Sequence, residues 1–117
     1  MIELMRESHN ETWAKLRKEL GDIGGIPRVE WSNRLTKTAG LAFCLEGFVR
    51  LSAPIYRKYP LGFVCEILPH ELAHIAAWRA FGDRWHGKGW KHSMRVIGLE
   101  PHVYWCPDRL SNYGKTI

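Results

Sequence analysis

Apolar residues recur at helical spacing over the first twenty positions. Ile2, Met5, Trp13, Leu16 and Leu20, with His9 among them, fall every three or four residues between charged ones, as on a helix that buries one face. This predicts a helix from Ile2 to Leu20, ended by Gly21 and the Gly24-Gly25 pair. The period then shortens. Pro27 to Trp31 alternates, Gly40 to Glu46 is apolar with an aromatic, and Phe48 to Ser52 alternates again after Gly47. Such runs predict strands, and their close spacing predicts a three-stranded antiparallel meander. Ser52 and Pro54 suit the start of a turn or short helix.

Leu61 to Phe81 is apolar nearly all round, which predicts a buried helix. Pro69 interrupts it. A proline inside a helix removes one hydrogen bond and costs about 3 kcal/mol, so either the helix kinks there or a second helix begins near Pro69. Gly82 ends the segment. Gly89 to Ile97 predicts a further helix with Trp90, Met94 and Ile97 on one face, stopped by Gly98 and Pro101. A short extended tail with Val103, Tyr104 and Trp105 follows. Helices flanking a small run of strands define the α+β class, and 117 residues without an internal repeat suit one domain.

The buried helix carries the chemistry. His70, Glu71 and His74 spell HExxH, and positions i and i+4 lie one turn apart on one helix face. Two imidazoles so placed can grip one zinc ion, with Glu71 beside them to work on a metal-bound water. One buried histidine is commonly a satisfied core residue. Three polar groups on one apolar helix would be costly without a partner, so metal binding is the better reading. A catalytic zinc takes three protein ligands and leaves a position for water. His86 is the best candidate for the third. Eleven residues separate it from His74, Gly82 lets the chain turn back, and Gly87 and Gly89 allow close backbone packing. His92 competes, His102 is a weaker choice, and Glu100 and Asp83 are available carboxylates. His9 reads as a surface or packing residue.

Composition adds compartment and partners. Cys44, Cys65 and Cys106 are far apart, odd in number and without a CxxC. That excludes a disulfide framework or a four-cysteine zinc site and fits a reducing compartment. The charged N-terminus lacks a signal core, and no apolar run is long enough for a bilayer. The expectation is a cytoplasmic protein without a membrane partner. The net charge is +5, which suits either a solubility surplus or a polyanionic partner. Arg84, Lys88, Lys91 and Arg95, interleaved with Trp85 and Trp90, form one possible nucleic-acid patch, and Arg34 and Lys37 near Trp31 form another. Cations would track phosphates and aromatics would stack on bases, which favours single-stranded DNA. The competing reading places the tryptophans in the core and the cations on a solvated face.

Three stretches resemble the SprT-like zinc metalloprotease family: WSNRLTKTAGLAF from Trp31 to Phe43, LPHELAHIAAW from Leu68 to Trp78, and WHGKGWKHSMRVIG from Trp85 to Gly98. The resemblance implies a zincin-like protease domain, with a small antiparallel sheet packed on the HExxH helix. It implies His70, His74 and His86 as zinc ligands and Glu71 as the catalytic glutamate. Spartan-like members cleave proteins crosslinked to DNA, so it also implies a protein substrate and a DNA partner. Many bacterial members continue into a cysteine-rich zinc ribbon. Here the sequence given runs only a short way past Cys106, which reads as a lone thiol rather than a remnant of that ribbon's first ligand. The expected reaction is water attack on a peptide carbonyl, with Tyr56, Tyr104, His92 and Arg57 as candidates to stabilise the oxyanion. A general zinc peptidase without DNA, and a non-catalytic zinc or DNA-binding module, are the alternatives. Glu71 speaks against the last, since structure alone needs the histidines but not that carboxylate.

Overall fold

The computed structural model describes residues 2–113, with the Ile2 side chain outside the description. Helix α1 spans Ile2–Leu20, as the periodicity predicts. It buries Met5, Thr12, Trp13 and Leu16. His9 is a packing residue, with Nε2 2.6 Å from the Pro27 carbonyl. Strands β1 (Arg28–Ser32), β2 (Gly40–Phe43) and β3 (Phe48–Ser52) follow.

The sheet is mixed, which corrects the antiparallel meander. Its order is β1-β3-β2, with β1 parallel to β3 and β2 antiparallel to it. The turn at Gly47, where φ is +81°, makes β2 and β3 a hairpin. Gly47 N–H closes it by donating to the Phe43 carbonyl at 2.7 Å. Residues 33–39 between β1 and β2 are too long for a tight hairpin. They instead carry the chain past β3, which therefore lies in the centre. Four of its five residues are buried, as expected of a strand covered on both faces. β2 is left as an edge.

Ser52 ends β3 and starts α2 (Ala53–Lys58). Its Oγ accepts from Ile55 N–H at 3.1 Å and donates to the Leu35 carbonyl at 2.6 Å. One buried hydroxyl thus caps a helix and anchors the β1–β2 link.

The long apolar segment is continuous, neither sharply broken at Pro69 nor restarted there. α3 (Pro60–Gly62) runs into a π-helical turn, Phe63–Ile67, and then into α4 (Leu68–Phe81). Gly62, Phe63, Ile67 and Leu68 all keep helical backbone angles. Pro69 has no N–H to donate, and its ring would crowd the carbonyl four residues back. The turn just before it is the wider π type, with Leu68 N–H reaching back to Phe63, and this accommodates the ring. Gly82, with φ of +71°, ends α4 in a left-handed cap.

α5 (Lys88–Val96) packs on α4 through Trp90 and Met94. The expected extended tail is an irregular segment followed by a short helix, α6 (Pro107–Ser111). Leu110 on α6 is fully buried and lies 3.0 Å from where a Cβ on Gly62 would stand. The main core gathers Trp13, Leu16, Val49, Leu51, Phe63, Leu68, Leu72 and Ile75, so α4 is sandwiched between α1 and the sheet. No helix among the described residues is long and apolar enough to cross a membrane.

Replacing Ser52 with Ala removes the α2 cap and leaves the Leu35 carbonyl without its partner. Urea unfolding of Ser52→Ala is expected to show a loss of about 2 kcal/mol. A loss near zero would contradict the hydroxyl's double role.

Candidate metal centre

His70 and His74 project from one face of α4, where every residue from Leu68 to Ala77 is buried. His86 reaches them from the loop between α4 and α5. Asp83 folds that loop. Its Oδ1 accepts from Trp85 N–H at 3.1 Å and its Oδ2 from Trp90 N–H at 3.0 Å. Burial acts to raise the Asp83 carboxyl, but these bonds and others from Gly87 and Gly89 N–H outweigh it and hold the group below its ordinary value. Asp83, weighed above as a metal ligand, is thus engaged as the loop's organiser. Gly87 and Gly89 give the room. A Cβ on Gly87 would lie 2.8 Å from Asp83 Oδ2, and one on Gly89 would lie 2.8 Å from Phe81 Cδ2.

The three imidazoles converge. One ring nitrogen from each of His70, His74 and His86 lies within 4.8 Å of the others. His74 Nε2 and His86 Nε2 are 3.1 Å apart. Two nitrogens of a tetrahedral zinc centre, each at about 2.0–2.1 Å from the ion, stand roughly 3.3 Å apart. Burial, then the neighbouring His86, lowers His70 to about 4. Burial, then His70 and His86, lowers His74 to about 3. Burial also lowers His86. All three rings are therefore neutral at neutral pH, as metal ligation requires. The donor set and its spacing fit a zinc ion. His92 and His102 are both exposed and lie outside the cluster.

Trp90 forms the floor. Its ring lies 5.0, 5.2 and 4.5 Å from those of His70, His74 and His86, nearly parallel to His74. It is fully buried. The expectation that Trp90 stacks on a nucleic-acid base is thereby corrected, since its faces are taken by the histidines and the core.

Glu71 stands beside the cluster, its Oε2 3.9 Å from His70 Nε2. Burial pushes its carboxyl up to about 8. β2 comes very close to it. A Cβ on Gly40 would lie 2.9 Å from Glu71 Cγ and 3.1 Å from its Oε2, so glycine is what allows strand and carboxylate to share this space.

The histidines and Glu71 line a cleft of about 360 Å³. Gly40, Leu41 and Ala42 of edge strand β2 form one part of its wall, and Val103, Tyr104 and Trp105 form another. Arg84, Trp85 and Lys37 also line it. Trp85 is 74% exposed and Tyr104 83%. Of the four oxyanion candidates, Tyr104 alone is in the cleft lining. Tyr56 packs on Trp31 and Phe63, Arg57 bonds Asn33, and His92 contacts Phe81. Lys88, Lys91 and Arg95 are exposed along α5, and Arg34 is exposed in the β1–β2 link.

One pair escaped the sequence reading. Glu66, buried in the π turn and part of the cleft lining, is held by Arg109 of α6. A carboxylate inside an otherwise apolar run was the signal that a partner would be needed. Among the described residues, Cys106 belongs to no metal-binding cluster and is a free thiol.

A helix-borne histidine pair, a third histidine from the following loop and an adjacent glutamate define a candidate three-histidine metal centre in an α+β protein. The SprT-like family model matches residues 4–107, and the chain belongs to that family. Protein SprT of Glaesserella parasuis is 36% identical over 84 residues, which cover 70% of this chain and 53% of that protein. Protein SprT of Vibrio parahaemolyticus is 33% identical over 93 residues, 78% of this chain and 56% of that one. Protein SprT of Pseudomonas putida is 36% identical over 91 residues, 75% and 52%. The chain thus spans about half the length of these curated relatives. No solved structure gives a significant match.

Zinc at a thousandfold excess over its Kd should stabilise the folded chain by about 4 kcal/mol, read as a rise in Tm. His86→Ala should lose most of that rise. A full zinc-induced shift without His86 would contradict the three-histidine centre.

Proposed function

We propose that this chain is a zinc-dependent endopeptidase domain of zincin-like type that acts on DNA-associated proteins. The observation that carries the proteolytic part is the position of Glu71. A purely structural metal site needs the three histidines, but it does not need a buried carboxylate beside them in an open cleft. His70, His74 and His86 would hold the zinc ion, which supplies Lewis acidity and a bound water of lowered pKa.

The chain's own residues account for the rest. The free edge of β2 can accept an extended peptide as an added strand, which tolerates many side chains because the bonds are to backbone. Gly40 keeps that strand against Glu71, so a peptide paired there would place a carbonyl near the carboxylate. Glu71 accepts a proton from the attacking water as the new C–O bond forms. It returns that proton to the amide nitrogen as the C–N bond breaks, leaving a carboxylic acid and an amine. Nearby positive charge would draw its carboxyl back down from about 8 and ready it as a base.

The DNA part rests on the resemblance and on the rim. Arg84, Lys37 and the exposed Trp85 line the same cleft. Lys88, Lys91 and Arg95 fall at i, i+3 and i+7 of α5, which puts them on one helix face. Together these offer phosphate contacts and one stacking surface, which suits single-stranded DNA. The burial of Trp90 removes the second stacking residue and favours, as the alternative, a zinc peptidase that needs no DNA.

Purified protein incubated with a DNA-binding protein should cleave it more when single-stranded DNA is present. Glu71→Gln should lower the rate by about 10²–10⁴-fold while zinc content is unchanged. Equal cleavage with and without DNA would select the general peptidase. No Glu71-dependent cleavage from zinc-loaded protein would leave a non-catalytic module.

A further inference from the structure

The cleft wall made by Val103, Tyr104 and Trp105 has no regular secondary structure. Tyr104 is almost wholly exposed, so packing of its own side chain does not hold it in place. Two polar ties do. Trp105 Nε1–H donates to the Lys37 carbonyl at 3.0 Å, joining the wall to the β1–β2 link. Arg109 Nη2 donates to the Tyr104 carbonyl at 2.6 Å.

Arg109 is itself anchored on the metal-bearing helix. Its Nε lies 2.9 and 3.0 Å from the two Glu66 oxygens, and its Nη2 lies 2.9 Å from Oε2. Glu66 is 4% exposed and sits in the π turn, four residues before His70. Tyr113 donates a further bond to Glu66 Oε1 at 2.9 Å. A buried ion pair adds little net stability over an apolar pair of the same shape. What this one does add is geometry, since a guanidinium fork fixes direction as well as distance.

We propose that Arg109 is a positioning residue for peptide binding: by gripping Glu66 and the Tyr104 carbonyl together, it locks the Val103–Trp105 wall of the cleft to the helix that carries His70 and His74. The proposal rests on the peptidase reading. Lysine cannot replace Arg109, because one ammonium cannot make the fork to Glu66 and reach Tyr104 as well. Tyr113 serves as the internal control, because it bonds the same carboxylate and, among the described residues, makes no hydrogen bond to the wall.

The test compares zinc-loaded wild type, Arg109→Lys and Tyr113→Phe by peptide cleavage kinetics and by amide hydrogen exchange of residues 99–106. Arg109→Lys should raise KM about tenfold with kcat within about twofold. Exchange in 99–106 should quicken by about tenfold or more. Tyr113→Phe should leave KM and that exchange within about twofold of wild type, whatever it costs in Tm. Unchanged exchange and KM in folded Arg109→Lys, or equal changes in Tyr113→Phe, would overturn the latch. Should Arg109→Lys fail to fold, Glu66→Gln decides the question. It leaves Arg109 and the wall side chains in place but removes the charge that aligns the fork, and it must raise KM and quicken exchange in the same segment. If wild type cleaves no peptide, the peptidase reading fails, and the exchange comparison alone decides the latch by the same criterion.

Discussion

Burial of His70, Glu71 and His74 on a helix that is otherwise apolar is the constraint on which the rest of the structure turns. Polar groups withdrawn from water destabilise a fold unless each finds a partner. Desolvation keeps the imidazoles neutral and the carboxyl protonated to an unusually high pH. Around them the chain builds a dry floor from Trp90, a loop shaped by Asp83 that returns His86, and a strand that can approach because Gly40 has no side chain. Their sum is three nitrogen donors and one carboxylate facing a common cleft.

Two buried glutamates, five residues apart in the chain, meet opposite fates. Glu66 is saturated by Arg109 and Tyr113, so it is fixed and structural. Glu71 lies in tight van der Waals space beside Gly40 with its carboxyl pushed up, so its charge responds to whatever positive group comes near. The π turn separates the two environments. It accommodates Pro69, and it holds Glu66 where α6 can reach it.

Features set by local pattern were legible in the sequence. The bounds of α1 and β3, the Ser52 start of α2 and the helix that carries His70 and His74 follow from periodicity and capping. Features set by distant partners were not. β1 pairs in parallel with β3 because the intervening link passes over, and nothing in either strand encodes that choice. α6 is one turn and a half, too short to show a period, and its worth lies in Leu110 and Arg109 reaching back more than forty residues. Periodicity put Trp90 on the apolar face of α5, but it could not say that three histidines lie against that face. Spacing favours His86 over His92 and His102 as the third histidine, and the Asp83 loop is what brings it to the other two.

The most direct measurement is X-ray diffraction from zinc-soaked crystals, with data collected on both sides of the zinc absorption edge. An anomalous peak bonded to one nitrogen each of His70, His74 and His86 at about 2.0–2.1 Å, with the Glu71 carboxylate close by but not coordinating, is the predicted result. A peak elsewhere, or zinc bound directly by Glu71 in place of one histidine, would contradict the account.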